Sequence, residues 1–223
     1  MTDRLAGTFP VDTQPGFDWL GIAFTALGAQ VSWLEAAAFS LALACVVLTV
    51  LEKHWGWPLA ILSSVLYALL FQSFRLYGEA VLQLFFVGIA VWGWWQWLYG
   101  HRPNGADPSP SRGIRIARLT ALARFGLLLA WLIAWCLIGI LLGRTTDSDV
   151  PWFDAFPTAG SVLGQVLLAR KYVETWAVWI IVNLASVALF AYKELMLTAV
   201  LYLAFATLAL IGHLRWQRSL AGR

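Results

Sequence analysis

One stretch of the sequence, residues 176–190, carries side chains that could bind a small molecule. It contains two tryptophans, an asparagine and a serine: Trp176, Trp179, Asn183 and Ser186. At helical spacing all four fall within an arc of about 80°. Tryptophan faces stack on flat heterocycles and attract cations, and the polar pair can bind hydroxyl or amide groups. Asn183 could instead join two helices by a hydrogen bond, but the neighbouring tryptophans favour a ligand site.

A second set of candidates follows from an internal repeat. Shifted by 119 residues, Val47–Trp97 aligns with Val166–Trp216 without a gap, and 15 of the 51 positions are identical. This apolar composition would give roughly four or five identities by chance, so a duplication is the better explanation. The identities include Trp57/Trp176, Phe86/Phe205, Gly93/Gly212 and Trp97/Trp216. The counterparts of the tryptophan-rich face are the less polar Trp57, Ala60, Ser64, Tyr67 and Phe71.

The third apolar segment adds two polar side chains one helical turn apart. Glu79 and Gln83 correspond to Thr198 and Tyr202 in the second copy. Gln83 lies deeper and is predicted to bind the ligand, whereas Glu79 could face outer water, pair with Arg75 or line a pathway. The predicted substrate-binding set is therefore Trp176, Trp179, Asn183, Ser186, Gln83, Glu79, Trp57, Tyr67 and Tyr202.

Motifs for several other chemistries are missing. The sequence has no phosphate-binding P-loop, and no ionisable residue lies at the centre of an apolar segment. Its three histidines lack neighbouring ligands, so we predict no metal, no cofactor and no enzymatic activity. The 15 Lys and Arg are scattered and the net charge is only +3, which argues against nucleic-acid binding.

The composition predicts an all-α integral membrane protein. Hydrophobic residues make up 61% of the chain and charged residues 12%, whereas soluble domains have about 25% charged residues. A spanning helix needs about 20 apolar residues. Seven segments qualify: Trp33–Val50, Trp57–Phe74, Leu76–Trp97, Phe125–Leu142, Phe153–Ala169, Trp176–Tyr192 and Leu195–Leu214. Trp19–Val31 is too short to span and is predicted to be an interfacial or re-entrant helix.

The repeat and the seven spans together predict a 3+1+3 arrangement. Three helices, a linker helix that restores the chain direction, and three more helices would give two parallel repeats, a common transporter design. The predicted regions are an N-terminal polar segment with its interfacial helix (1–32), a first repeat (33–97), a loop (98–118), a linker helix (119–143), a second repeat (151–216) and a tail (217–223).

The basic residues predict the orientation. Eleven of the 15 Lys and Arg fall on one side of the seven spans, and such residues collect in cytoplasmic loops. The C-terminus is therefore predicted to be cytoplasmic and the N-terminus outside, in an inner or plasma membrane. The tryptophans of residues 92–97 are predicted to form an interfacial belt.

The run from Lys171 to Asn183, read as Lys-Tyr-Val-Glu-x-Trp-x-x-Trp-x-x-x-Asn, resembles the Pnu family of bacterial vitamin transporters, closest to its nicotinamide riboside branch. Leu76–Gln83 with Gly93-Trp94, and Trp33–Ala36, are similar to that family as well. The resemblance implies a seven-helix fold like that of the SWEET sugar transporters. It also implies facilitated diffusion of nicotinamide riboside, an NAD precursor, with a cytoplasmic kinase trapping the substrate.

On that resemblance, Trp176 and Trp179 would hold the pyridinium ring, and Asn183, Gln83 and Ser186 the hydroxyl and amide groups. Another flat vitamin, such as thiamine or riboflavin, is an alternative substrate. A non-transporting membrane scaffold is a further alternative, and a homo-oligomer is left open.

Overall fold

The computed structural model of the protein describes residues 19–26, 29–73, 77–100, 114–145, 150–192 and 196–221. Within these ranges the chain forms a β-hairpin followed by seven α-helices. The helices are α1 (Trp33–Val50), α2 (Gly56–Ser73), α3 (Tyr77–Tyr99), α4 (Ala121–Thr145), α5 (Pro151–Ala169), α6 (Glu174–Tyr192) and α7 (Met196–Ala221). Each predicted apolar segment therefore corresponds to one helix, and α7 continues past its predicted end at Leu214.

The helices have the length and surface of membrane spans. Four described stretches are long and apolar enough to cross a membrane: Trp33–Val50, Ala121–Thr145, Glu174–Tyr192 and Ala199–Ala221. Gly56–Leu70 is a shorter apolar helix. The outer face of α4 exposes large aliphatic side chains, such as Leu122 at 81% and Leu137 at 63%. Hydrocarbon solvates such a face and water does not, so the bundle is that of a membrane protein.

Two strands stand before α1. β1 (Ile22–Ala26) and β2 (Ala29–Ser32) pair antiparallel, so the predicted interfacial helix over Trp19–Val31 is wrong. The stretch is too short and too interrupted by glycine to stabilise a helix, and strand pairing satisfies its backbone instead. The hairpin leads directly into α1, where the Ser32 hydroxyl caps the helix by accepting the Glu35 N–H at 3.1 Å.

The helices pack mostly with their neighbours in sequence. α2 packs against α1 and α3, α5 against α4 and α6, and α7 against α6. Two further pairs, α3 with α5 and α1 with α7, join the first three helices to the last three. We call these the α3–α5 seam and the α1–α7 seam.

The turns between α1 and α2 and between α5 and α6 have matching backbones. Glu52 (φ 58°) and Lys171 (φ 51°) both occupy the left-handed region and lie 119 positions apart. The N–H of Lys53 donates to the Leu48 carbonyl at 2.8 Å, and the N–H of Tyr172 donates to the Leu167 carbonyl at 3.0 Å. These hydrogen bonds end α1 and α5 in the same way. We call this end of the bundle, which holds residues 51–55 and 170–173, the turn end.

Equivalent tryptophans pack at the turn end of each copy. The rings of Trp57 and Trp97 meet edge to face with centroids 5.6 Å apart, and those of Trp176 and Trp216 do so at 5.3 Å. A Trp97–Trp216 contact at 6.1 Å links the two pairs. Together with Val173 and Ala169, these four tryptophans belong to the largest buried cluster of the described residues.

The predicted belt at residues 92–97 is therefore only partly interfacial. Trp95 is 55% exposed, as a belt residue would be, but Trp97 is only 4% exposed. Trp97 is buried because the end of α3 packs against the second copy at the α3–α5 seam. The sequence pattern could not distinguish these two environments.

Candidate functional site

A cavity of about 300 Å³ lies among the helices. Side chains from α1, α2, α3, α5, α6 and α7 line it, whereas α4 contributes none of the described lining residues. Seven of the nine predicted site residues line the cavity: Trp57, Tyr67, Gln83, Trp176, Trp179, Asn183 and Tyr202. Predicted site residues that are far apart in the sequence therefore meet at one place between the two copies.

Two predicted site residues are not among this lining. Ser186 is buried on α6, one turn from Asn183, and lies outside the cavity wall. Position 186 is only about 20° around the axis from Trp179, but it lies about 10 Å further along the helix, beyond the cavity. Glu79 lies in α3, but its side chain falls outside the described residues.

Several lining residues were not predicted. Gln165 on α5 interrupts an otherwise apolar span, and that interruption was the available signal. Phe86 and Phe205 also line the cavity; their identity in the repeat alignment marked them, although identity alone does not separate lining from packing. Cys45 and Thr49 on α1 gave no signal, because α1 contributes small side chains with no distinctive spacing.

The positions of Trp57 and Trp176 depend on two glycines of the repeat. A Cβ placed on Gly93 would lie 2.4 Å from Trp57 Cη2, and one on Gly212 would lie 2.7 Å from Trp176 Cδ2. Each indole therefore occupies the notch that a glycine leaves on the adjoining helix. Because both glycines recur at the 119-residue shift, the same notch forms on α3 and on α7.

Both copies contribute polar and aromatic side chains, and the second contributes both Trp176 and Trp179. Trp179 packs against Gly164, whose Cβ would lie 3.1 Å from Trp179 Cε2. Thr175, next to Trp176, donates its hydroxyl hydrogen to the Gly164 carbonyl at 2.9 Å. These contacts fix the start of α6 against α5 and so orient the face that carries Asn183.

The polar groups of the cavity are uncharged. The described lining residues include hydroxyls, two glutamine amides and the Asn183 amide, but no Asp, Glu, Lys or Arg. The indole N–H groups of Trp57 and Trp176 are buried and have no acceptor among the described residues. Uncharged donors and acceptors between aromatic faces suit a flat ring that carries hydroxyl or amide groups.

No group of three metal-ligating side chains occurs among the described residues. The part of the cavity wall that the structure describes also lacks a carboxylate or histidine that could act as a general base.

A family model, described as "Nicotinamide mononucleotide transporter", matches residues 32–218. The chain belongs to this family. The matched region begins just before α1 and ends within α7, so it includes every helix that lines the cavity. The resemblance noted from the sequence is thereby confirmed, and this multi-pass protein belongs among membrane transporters.

Individual members of the family are similar over most of their length. The nicotinamide riboside transporter PnuC of Escherichia coli (strain K12) is 26% identical over 210 residues, covering 86% of this chain and 88% of the relative. The riboflavin/roseoflavin transporter RibM of Streptomyces davaonensis is 26% identical over 203 residues, covering 89% and 92%.

A solved structure has the same overall fold. The crystal structure of the vitamin B3 transporter PnuC matches with a TM-score of 0.63 and 25% identity, covering 83% of this chain and 81% of the other. The helical bundle described above is therefore one that this transporter family adopts.

Proposed function

We propose that this protein carries nicotinamide riboside across the membrane by facilitated diffusion and that the cavity is its substrate site. The observation that carries the proposal is the cavity itself, an uncharged, tryptophan-walled site between the two repeats in a chain similar to nicotinamide riboside transporters. Trp176 and Trp179 would hold the cationic pyridinium ring by stacking and cation–π attraction. Asn183 and Gln83 would bind the ribose hydroxyls and the amide.

The charge of the cavity favours the nucleoside over the nucleotide. A phosphate ester is held in proteins by Arg, Lys or helix N-termini, and the described lining contains no Arg or Lys. A mononucleotide would therefore bring an uncompensated negative charge into the membrane interior. The nucleoside carries only the ring cation, which the indole faces can accommodate.

The architecture that we propose is 3+1+3, in the manner of SWEET transporters. Matching turns at Glu52 and Lys171, matching notches at Gly93 and Gly212, and two cross-repeat seams support it. α4 packs chiefly against α5 and stays out of the cavity wall, as a linker would. Two parallel units with a site between them allow alternating access from the two sides.

The orientation that we propose places the turn end on the cytoplasmic side of a bacterial inner membrane. The turns carry Lys53, Arg170 and Lys171, and α7 continues there with Arg215 and Arg218. Basic residues concentrate on the cytoplasmic side. Nicotinamide riboside would then leave at the turn end, where phosphorylation by a cytoplasmic kinase would prevent its return.

Reconstitution tests the proposal. Purified protein in liposomes should pass labelled nicotinamide riboside without ATP or an ion gradient. Trp179→Ala and Asn183→Ala should each lower uptake about tenfold or more, because each removes a main contact. Trp95→Ala, which changes an exposed tryptophan away from the cavity, is the matched control and should transport normally.

The similarity to RibM favours riboflavin as the second candidate substrate. The same liposomes should therefore be offered riboflavin and thiamine in parallel. If riboflavin or thiamine crosses faster than nicotinamide riboside, the faster compound becomes the assigned substrate, and the assignment of the cavity as the substrate site stands. Absence of flux for all three, in protein that unfolds cooperatively, would instead support a non-transporting scaffold.

A further inference from the structure

The two seams between the repeats differ at the turn end, although the helices that form them are equivalent. Under the 119-residue shift, α3 corresponds to α7 and α5 corresponds to α1, so the α3–α5 seam and the α1–α7 seam are counterparts. A symmetric protein would join both seams by the same contacts. The contacts at the turn end do not match.

The α3–α5 seam is held by contacts centred on Trp97. The indole N–H of Trp97 donates to the Leu168 carbonyl at 3.0 Å. The ammonium of Lys171 lies 4.3 Å from the centroid of the Trp97 ring, a cation–π contact. Next to it, the Arg170 guanidinium lies 5.7 Å from the ring of Trp92. Two cations and one buried hydrogen bond therefore fasten the end of α3 to the end of α5.

A short extended segment secures the same turn from another side. The N–H of Ala117 donates to the Lys171 carbonyl, and the N–H of Val173 donates to the Ala117 carbonyl, both at 3.0 Å. The Glu174 carboxylate accepts the Leu119 N–H at 3.1 Å and pairs with Arg124 at 2.9 Å. The turn that carries Lys171 is thus tied to the chain that leads into α4.

The α1–α7 seam lacks the counterparts of these contacts. Trp216 corresponds to Trp97, but its buried indole N–H has no acceptor among the described residues. Glu52 corresponds to Lys171, and a carboxylate is repelled by the electron-rich face of an indole. Within the described ranges, the backbone of residues 51–55 hydrogen-bonds only to its own turn and to α1 and α2.

We propose that the α1–α7 seam is the one that parts at the turn end to release substrate, while Trp97 and Lys171 are positioning residues that keep the α3–α5 seam closed. The proposal rests on the proposed function for the identity of the substrate. The cavity reaches both seams, because Thr49 on α1 and its counterpart Leu168 on α5 both line it. The exit path therefore runs past Thr49.

Cysteine labelling at these two counterparts tests the proposal directly. In a background with Cys45→Ser and Cys136→Ser, which removes both cysteines of the chain, Thr49→Cys and Leu168→Cys are made separately. Both positions are buried, so the structure itself does not make either cysteine more accessible to the reagent. A membrane-impermeant methanethiosulfonate, applied to both faces of proteoliposomes, should modify Cys at 49 severalfold faster than Cys at 168. Equal rates, or faster labelling at 168, would overturn the proposal.

A charge change supplies a second, independent measurement. Glu52→Lys gives position 52 the cation that its counterpart Lys171 carries, so the new ammonium should reach Trp216, the counterpart of Trp97, and close the α1–α7 seam. We expect substrate flux to fall severalfold with binding affinity unchanged, whereas Glu52→Gln, which cannot form the contact, should keep normal flux. Flux in Glu52→Lys equal to that in Glu52→Gln would contradict the assignment.

The role of Lys171 is checked in the same assay. Lys171→Gln should speed labelling at position 168, and Lys171→Arg, which keeps the cation over Trp97, should restore the parent rate. A purely structural role would change the thermal midpoint of both variants without changing the ratio of labelling at 49 and 168. Labelling is also measured without substrate, so the seam assignment is decided even if nicotinamide riboside proves not to be transported.

Discussion

At the scale of single residues, the cavity is asymmetric because the two copies place side chains of different size at equivalent positions. Trp179 faces the cavity from α6, whereas its counterpart on α2 is Ala60; likewise Asn183 corresponds to Ser64. At these two positions a large aromatic or amide group in the second copy corresponds to a small side chain in the first. We expect Ala60 to leave room for the ligand and Trp179 to contact it.

Ala60→Leu should reduce binding by filling that room. Overpacking costs about 1–3 kcal/mol, and 1.4 kcal/mol corresponds to about a tenfold change in affinity. We expect the affinity for nicotinamide riboside, measured by calorimetry in detergent, to fall about tenfold or more. Ala68→Leu, on the same helix but away from the cavity lining, is the control. Equal affinities in the two variants would show that Ala60 does not border the ligand.

At the scale of elements, the glycine notches decide how closely the helices of each copy approach. α3 meets Trp57 at Gly93, and α7 meets Trp176 at Gly212. Because the indoles fill these notches, the cavity wall and the helix packing depend on the same contact. Changing a notch glycine therefore affects stability and the site together.

Gly93→Ala should destabilise the bundle by about 1–3 kcal/mol, because the new methyl group overlaps the Trp57 ring. Gly212→Ala should have a similar effect through Trp176. The measurement is the thermal unfolding midpoint of purified protein in detergent. Gly88→Ala lies on the same helix with no atom within 4 Å of its Cβ, and its midpoint should not fall. A midpoint of Gly93→Ala as high as that of Gly88→Ala would mean that the notch is not tightly filled.

The prediction from sequence succeeded where membrane physics leaves few alternatives. A backbone in hydrocarbon must satisfy its own hydrogen bonds, so seven long apolar segments gave seven helices. The repeat alignment then indicated which faces meet, and Trp57 and Trp176 duly line one cavity. The alignment did not predict that Trp97 is buried, because its burial depends on contacts between the copies. It also did not predict that Cys45 and Thr49 on α1 line the cavity, because their small side chains form no distinctive pattern. The strands Ile22–Ala26 and Ala29–Ser32 lie near the start of the bundle, where short-range strand pairing competes with helix formation.

At the scale of the whole molecule, the described lining of the cavity carries no charged side chain, whereas the turn end is basic. Lys53, Arg170 and Lys171 lie in the turns, and none of them is among the lining residues. An anionic ligand would therefore find cations at the turn end but none in the described lining of the cavity. If the cavity is the substrate site, as we propose, its uncharged described lining and not the basic turn end selects the compound that is carried.

Nicotinamide mononucleotide should therefore not be carried, even at a concentration that saturates transport of the riboside. Its phosphate would lose hydration without gaining a cationic partner in the described lining. Uptake of both compounds into the same proteoliposomes checks this, with a phosphatase inhibitor present to keep the nucleotide intact. Transport of the mononucleotide at a rate near that of the riboside would require a cation in the pathway that the described lining does not contain.

The hydrogen bond from Trp97 to the Leu168 carbonyl also constrains how the protein is made. The two residues are 71 positions apart, so α1, α2 and α3 are synthesised well before their acceptor on α5 exists. Until α5 arrives, the Trp97 N–H lacks its Leu168 acceptor, so the first copy is an incomplete assembly unit. We therefore expect the second copy to dock onto the first late in biogenesis, and chains that stop before α5 to be recognised and degraded by membrane quality control.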